Sequence, residues 1–242
     1  LVLGAKWASV VFAASAVTAI WWLLRRQSVP YAALWALGTL AVSQAFIFRM
    51  SMPRRQSLSL AILVVALGWL LSGQHRRLVV IGFLFVWLYD GFPLLLLVCV
   101  SYLAAKWLVG GRLRLAPLGY TGAGILLGLV TNPYFPDNLL FTARHLLPKL
   151  SEATSVSVGS EWYPYTTAQL LDNSGLALLA FVSGAVALGL AGRRMRVETA
   201  TALLLGLAVG LMLFQARRFV EYFPAFALIF AAFAWAPLLE RA

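Results

Sequence analysis

Long apolar runs, separated by short polar or Pro- and Gly-containing breaks, fill most of the chain. They lie at about 5–24, 30–48, 58–73, 78–89, 92–109, 115–131, 170–191, 199–214 and 220–239. A helix that crosses a bilayer needs roughly 20 apolar residues, and strand-like alternation of apolar and polar positions persists nowhere along the sequence. The pattern predicts an all-α fold, a polytopic transmembrane helix bundle of about nine spans.

The fourth and fifth runs are separated only by the break YDGFP at residues 89–93. Asp90, Gly91 and Pro93 each disfavour a continuous helix. The fourth run is short for a span, so residues 78–109 form either one span or two. Two spans give loop charges that agree better with the positive-inside rule.

One long loop divides the predicted bundle. Six helices occupy residues 1–131, an extracytoplasmic loop follows at 132–169, and three helices occupy 170–242. Two pairs of glycines, Gly124 with Gly128 and Gly206 with Gly210, form small-residue faces on the predicted helices. Such faces allow neighbouring helices to approach closely, so we expect them to serve helix packing.

Composition excludes a soluble domain and changes the meaning of the charge. The 242 residues are 62% hydrophobic and only 11% charged, whereas soluble domains have about 25% charged residues. The net charge of +11 therefore indicates loops that face anionic lipid headgroups rather than a nucleic-acid surface. We expect membrane lipid as a partner and do not expect nucleic acid.

Basic residues are distributed unevenly between the two alternating sets of loops. The more basic set, together with the C-terminus, is assigned to the cytoplasm, which places the N-terminus outside, in what we expect to be a bacterial inner membrane. The basic residues of this set are Arg25, Arg26, Arg76, Arg77, Lys106, Arg112, Arg114, Arg193, Arg194, Arg196 and Arg241.

The opposite face carries arginines that topology does not favour there. They lie in RMSMPRRQS at 49–57 and in QARRFVEY at 215–222, beside apolar runs. Guanidinium groups bind phosphate oxygens bidentately, so a ligand with a phosphate and a hydrocarbon tail suits them. We predict that Arg54, Arg55, Arg217 and Arg218 bind a lipid phosphate. Interfacial anchoring, with pairing to Glu221, is the alternative.

Acids on the same face offer a second role. A carboxylate can accept a proton from an acceptor hydroxyl, and several together can hold a divalent cation. No metal motif is present, so the cofactor stays open. Asp172, in LLDNSG, has the setting of a helix cap. The acids that could converge are Asp90, Asp137, Glu161, Asp172 and Glu221.

Glu161 and Asp90 are the candidate catalytic residues. Glu161 lies in GSEWYPY, just before an apolar run, and Asp90 lies at the tip of the YDGFP break. Trp162, Tyr163 and Tyr165 are either interface-belt residues or a platform for a sugar ring. Together with Glu221 they form the predicted substrate loop.

Four stretches resemble the GT-C superfamily of polytopic glycosyltransferases. FRMSMPRRQSLSLAILVVALGWLL is similar to an Arg-rich outer loop leading into a span in bacterial members, and NPYFPDN to the start of a long external loop. VGSEWYPYTTAQLLDNSGLALLAF looks like the external-loop glutamate motif of oligosaccharyltransferase catalytic subunits, and ARRFVEYFPAFAL like a late segment that contacts the donor phosphate. The resemblance assigns the loop glutamate to Glu161 and the phosphate contact to Arg217 or Arg218.

This resemblance implies an integral membrane glycosyltransferase that uses a polyprenyl-phosphate-linked sugar at the extracytoplasmic face. Members carry an essential Asp, or an Asp/Glu pair, in the loop after their first span, and this sequence has no counterpart. We therefore expect a C-terminal module of such an enzyme or a relative without catalysis. The alternatives are a non-catalytic subunit that packs into a larger membrane complex, and a transporter, for which a broken helix at YDGFP would be typical.

Overall fold

The computed structural model describes residues 2–150, 159–192 and 194–241, with only the backbone of residues 2 and 145–150 described. These residues form helices and no strand, which confirms the all-α prediction for the described part of the chain. Residues 151–158 of the predicted long loop, and Arg193 of a predicted cytoplasmic loop, lie outside the described residues.

Eleven α-helices and three short 3₁₀ turns make up the described fold. The turns are His75–Arg77, Ser160–Trp162 and Arg217–Glu221. The helices are α1 Val2–Arg26, α2 Ala32–Gly38, α3 Gln44–Ser51, α4 Gln56–Leu71, α5 Leu78–Leu88, α6 Pro93–Leu108, α7 Ala116–Val130, α8 Asp137–Leu150, α9 Thr167–Ala191, α10 Val197–Gln215 and α11 Phe223–Leu239.

Fewer helices than predicted have the length of a full span. Within the described residues, three are long and apolar enough to cross a membrane: Leu3–Arg26, Thr167–Ala191 and Val197–Gln215. A fourth is added if α3 and α4, which meet at an angle of 107°, are counted as one bent span. The chain is thus a membrane protein by its helices, but the described residues contain three or four helices of spanning length rather than the predicted nine or so.

Helix breaks and helix length explain the difference. The run 30–48 was predicted as one span, but α2 ends at Gly38 and a new helix starts after Ser43, whose Oγ accepts a hydrogen bond from the backbone N of Phe46 at 3.1 Å. The helices α6, α7 and α11 have 16, 15 and 17 residues. At 1.5 Å per residue they measure roughly 22–26 Å, short of a hydrocarbon core of about 30 Å.

The break at YDGFP is confirmed. The helix α5 ends at Leu88 and α6 begins at Pro93, so residues 78–109 form two helices. Proline stands at the first position of α6, where its missing N–H is not needed. The break places Tyr89 and Asp90 together at one end of this helix pair.

The helix α11 forms the centre of the bundle. All its residues from Phe223 to Ala234 are buried, and it contacts α1, α2, α9 and α10. A helix that is apolar all round is expected in the interior. The 3₁₀ turn Arg217–Glu221 directly precedes α11, so the most buried element of the fold anchors that turn.

The two glycine faces pack against helices of the same chain, as the sequence predicted. A Cβ on Gly128 would lie 2.9 Å from the carbonyl oxygen of Phe83 in α5, and one on Gly124 would overlap the carbonyl of Val79. On α10, Gly206 faces the ring of Phe181. Gly210 likewise faces the ring of Phe223. Both faces are therefore filled from within this chain.

The structure adds a helix to the predicted loop and identifies the residue that caps α9. The segment 132–169 contains a helix of its own, α8. Asp172 does not cap α9: Thr166 does, accepting a hydrogen bond from the backbone N of Gln169 at 3.3 Å while the Gln169 Oε1 accepts one from the backbone N of Thr166 at 3.2 Å. This reciprocal pair is a capping box, and Asp172 lies exposed further along the helix.

Candidate functional site

Charged side chains from separate segments meet at the end of the bundle that holds the YDGFP break. We call Arg49, Arg54, Arg218, Glu161 and Glu221 the arginine cluster. Arg49 lies in the last turn of α3, and Arg54 lies in the break before α4. Glu161 comes from the turn Ser160–Trp162, and the other two come from the turn that precedes α11. Segments more than 50 residues apart in sequence thus build one site.

Glu161 lies at the centre of this cluster. Its Oε2 accepts hydrogen bonds from Nη1 of Arg49 at 2.9 Å and from Nη1 of Arg54 at 3.4 Å. Its Oε1 accepts one from Nη1 of Arg218 at 3.1 Å. Partial burial raises the pKa of Glu161, but the hydrogen bond from Arg49 and the three guanidinium charges outweigh it, so the pKa lies below its ordinary value. Glu161 is therefore ionised at neutral pH.

Glu221 is the buried carboxylate of the cluster. Its side chain is 1% exposed, and its Oε1 accepts a hydrogen bond from Nη1 of Arg49 at 3.3 Å. Its Oε2 is buried without a hydrogen-bond partner among the described residues. Burial raises the pKa of Glu221 to about 7, and the charges of Arg218 and Arg49 only partly oppose this. Near neutral pH, Glu221 is thus divided between its protonated and ionised forms.

Three contacts fix the guanidinium of Arg218. Beyond Glu161, its Nη2 donates a hydrogen bond to the hydroxyl of Tyr89 at 2.6 Å. The guanidinium also stacks over the ring of Trp162, 4.9 Å from its centroid, in a cation–π contact. Burial raises the pKa of Tyr89 although Arg218 opposes this, so the hydroxyl stays neutral. Arg218 is therefore held rigidly towards Glu161.

Arg217 and Arg55 hold neighbouring backbone rather than the cluster. The backbone N of Arg217 donates to the carbonyl of Tyr163 at 3.0 Å, and its side chain donates to the carbonyls of Tyr163 and Pro164 at 3.2 and 3.3 Å. Its guanidinium also lies over the ring of Tyr165. Arg55 donates from Nη1 to the carbonyl of Leu88 at 2.9 Å. These two predicted phosphate ligands thus tie together the segments that carry the cluster.

The remaining acids lie away from the cluster. Asp90 is exposed beside Tyr89 and forms no ion pair with another described residue. Asp137 is exposed at the start of α8, and Asp172 is exposed on α9. Of the five acids that the sequence predicted to converge, the structure brings together Glu161 and Glu221.

Two contributors to the site were not among the predicted ligands. Arg49, in the arginine-rich stretch 49–57, is the residue that bridges both carboxylates. It stands in the last turn of α3, where its side chain is 14% exposed. Tyr89 is the second contributor, through its hydrogen bond with Arg218. The one sequence feature that pointed to Tyr89 was its place in the YDGFP break, beside the end of an apolar helix.

The described residues contain no group of three or more His, Cys, Asp or Glu side chains that could hold a metal ion. In the cluster itself, guanidinium groups contact both oxygens of Glu161 and one oxygen of Glu221. The arginines supply the positive charge of the cluster.

An apolar cleft of about 460 Å³ runs along α1 and borders the last residue of α3. The cleft and the cluster are different places, but Ser51 at the edge of the cleft follows Arg49 by two positions. The cleft is lined by Ser9, Val10, Ala13, Ala14, Val17, Thr18, Leu40 and Ser51.

No protein-family model, curated protein or solved structure matches the chain.

Proposed function

We propose that the protein is an integral membrane glycosyltransferase, or the C-terminal module of one, that uses a polyprenyl-phosphate-linked sugar. The arginine cluster holds the phosphate of this donor. One observation carries the proposal: three guanidinium groups, two from the stretch 49–57 and one from the turn before α11, converge on a single carboxylate at the ends of apolar helices. A carboxylate and a phosphate present similar oxygens to a guanidinium, so a site that binds one suits the other.

Exposure indicates where a ligand would enter. The side chain of Arg54 is 48% exposed, whereas those of Arg49 and Arg218 are 14% and 17% exposed. A phosphate would approach past the exposed Arg54 and bind to the more buried Arg49 and Arg218. The apolar cleft beside Ser51 offers a neighbouring surface for the hydrocarbon tail.

The proposed reaction replaces the donor phosphate on the sugar by an acceptor hydroxyl. The bond between the anomeric carbon and the phosphate oxygen breaks, and a bond between that carbon and the acceptor oxygen forms. The arginines stabilise the negative charge that develops on the leaving phosphate. Glu161 or Asp90 takes the acceptor proton, and the exposed Tyr163, with Trp162 and Tyr165, offers aromatic surface to the sugar.

The orientation that belongs to this proposal puts the cluster at the extracytoplasmic face of a bacterial inner membrane. The arginine-rich segments, the YDGFP break and the loop at Glu161 belong to the set of loops with fewer basic residues. In the described structure they meet at one end of the bundle. The N-terminus then lies outside the membrane, and the C-terminus lies in the cytoplasm.

A non-catalytic membrane subunit is the second candidate. One observation favours it: Glu161 and Glu221 already compensate most of the arginine charge within the chain. Such ion pairs also occur where they only hold loops in place. In that case the cluster binds no phosphate, which separates the two candidates experimentally.

Binding of farnesyl phosphate, a short polyprenyl phosphate, to the protein in phosphatidylcholine nanodiscs tests the proposal. We expect saturable binding that Arg218→Ala weakens roughly 10–100-fold, because hydrogen bonds to charged groups contribute about 1.5–3 kcal/mol. Arg112→Ala is the control: it removes the same charge from an exposed loop position between α6 and α7. Full binding by the Arg218→Ala variant, or no binding by the wild type, would favour the subunit.

A further inference from the structure

We infer that Glu161 is an internal competitor for the anionic ligand of the arginine cluster. Its carboxylate occupies the position that phosphate oxygens would take, and the ligand binds by displacing it. The inference rests on the proposed phosphate binding and adds a residue that regulates the same site.

The hydrogen-bond geometry requires an exchange. Each of the three arginines directs its Nη1 at Glu161, and together they use both of its oxygens. The Nη2 of Arg218 is engaged by Tyr89. A phosphate that accepts hydrogen bonds from all three of these Nη1 groups must therefore take the place of the Glu161 carboxylate, because the three groups point at the space that this carboxylate occupies.

The charge balance permits the exchange. Three arginines against one carboxylate leave two positive charges when Glu221 is protonated, and one when it is ionised. A phosphate that replaces Glu161 supplies at least the same negative charge, so no guanidinium is left without compensation. Loss of Glu161 with nothing in its place would leave three cations facing one another in a partly buried site. Glu161 thus stabilises the empty site and lowers its affinity for the ligand.

Glu161 rather than Glu221 is the carboxylate that can move. The side chain of Glu161 is 25% exposed and lies on the short turn Ser160–Trp162, whereas Glu221 is 1% exposed and lies two residues before the central helix α11. Arg217 holds the backbone after this turn through the carbonyls of Tyr163 and Pro164. Rotation of the Glu161 side chain therefore suffices, and the turn keeps its position.

Displacement also has a consequence for the proposed transfer. Once released from the arginines, the Glu161 carboxylate lies free beside the bound phosphate. It loses the hydrogen bonds and charges that hold its pKa below the ordinary value and becomes a better proton acceptor. Ligand binding would thus create the base that the reaction needs.

The decisive variant is Glu161→Gln, which keeps the shape of the side chain and removes its charge. In phosphatidylcholine nanodiscs we expect farnesyl phosphate to bind this variant about tenfold or more tightly than the wild type. Asp172→Asn is the matched control, because it removes one negative charge from an exposed acid on α9 and should leave the affinity unchanged. Glu161→Asp, which withdraws the carboxylate by one methylene, should give a smaller gain.

Two further probes show whether Glu161 competes with the phosphate of the ligand or with its hydrocarbon tail. Inorganic phosphate should gain affinity for Glu161→Gln by a similar factor but bind more weakly throughout, because it lacks the tail. Farnesol, which has the tail without the phosphate, should show no gain. A gain for farnesol equal to that for farnesyl phosphate would contradict competition by charge.

The outcomes separate this inference from the proposed function. If Arg218→Ala weakens binding but Glu161→Gln binds farnesyl phosphate no better than the wild type, the competitor role is wrong and phosphate binding stands. If neither the wild type nor Glu161→Gln binds the probe, both are wrong. If Glu161→Gln does not fold, the absence of any gain in Glu161→Asp would itself overturn the competitor role.

Discussion

Arg49 is the residue through which the two carboxylates of the cluster influence each other. Its Nη1 contacts both Glu161 and Glu221. Protonation of Glu221 removes its charge attraction for Arg49, whereas ionisation divides the charge of Arg49 between the two carboxylates. At the scale of single residues, the site balances three arginine charges against two carboxylates. Glu161 stays ionised at neutral pH, and Glu221 titrates near it.

Glu221 makes the stability of the fold depend on pH. Its pKa is about 7 in the folded protein and near 4.5 in the unfolded chain, so the folded state retains a proton that the unfolded state has lost between these values. Stability therefore falls as the pH rises through this window. The groups that act on Glu221 are Arg49, Arg54, Arg218 and Glu161.

The variant Glu221→Gln tests this dependence. The stability of this variant should not show the Glu221-dependent decline between about pH 5 and 7.5. At pH 8 the variant should be more stable than the wild type by on the order of 2–3 kcal/mol. Thermal unfolding in detergent across pH measures the difference. Parallel curves for the wild type and the variant would show that Glu221 does not titrate in this window.

Tyr89 is a positioning residue for Arg218. Tyr89→Phe removes the hydroxyl that accepts the Nη2 hydrogen bond and keeps the ring. We expect farnesyl phosphate to bind roughly three- to tenfold more weakly, since a hydrogen bond that orients a charged group contributes about 1 kcal/mol or more. Tyr134→Phe, at a 75% exposed position, is the control. A change in unfolding temperature without a change in affinity would reduce Tyr89 to a structural role.

At the scale of elements, close helix contacts hold the segments that carry the site. The helix α5, which ends just before Tyr89, packs against α7 at Gly82, Gly124 and Gly128, where backbone approaches backbone. The helix α3, which carries Arg49, is linked to α9 because the Oγ of Ser43 donates a hydrogen bond to the carbonyl of Asn173. The cluster thus depends on helix ends that are fixed from several sides.

Two glycines of α7 provide a matched test of this packing. Gly124→Ala would drive a methyl group into the backbone of Val79, and we expect a loss of about 1–3 kcal/mol in stability. Gly122→Ala meets no atom within 4 Å and should be neutral or stabilising by up to about 1 kcal/mol. Thermal unfolding in detergent ranks the two variants. Equal effects would mean that α5 and α7 do not approach as closely as described.

At the scale of the whole molecule, some features followed from the sequence and others did not. Apolar runs were sufficient for the membrane class, the helical fold and the break at YDGFP. Span number was not, because Ser43 caps a new helix inside an apolar run and because α6, α7 and α11 end early. Charge can be read from residue type, but the end of a helix depends on caps and tertiary contacts.

The same distinction holds for the site. The sequence placed arginines and Glu161 on one face, and the structure joins Arg54 and Arg218 through Glu161. It could not distinguish Arg54 from Arg55, because adjacent residues point in different directions at a turn: Arg54 donates to Glu161 and Arg55 donates to the carbonyl of Leu88. Only the folded backbone decides between them.

The orientation of the whole molecule is testable with introduced cysteines. The native Cys99 is buried, so single cysteines at other positions can be labelled selectively. We expect Asp90→Cys, at the end of the bundle with the cluster, to react with a membrane-impermeant maleimide added outside bacterial spheroplasts. Arg112→Cys, beyond the opposite end of α6, should react only after permeabilisation. The reverse pattern would place the cluster in the cytoplasm.

The most direct test of phosphate binding is photocrosslinking with a farnesyl phosphate analogue that carries a diazirine next to its phosphate. Phosphate binding at the arginine cluster predicts crosslinks within 49–54, 160–162 and 217–221, all suppressed by excess farnesyl phosphate. Crosslinks confined to the opposite end, around 110–115, or crosslinks that farnesyl phosphate does not suppress, would contradict it.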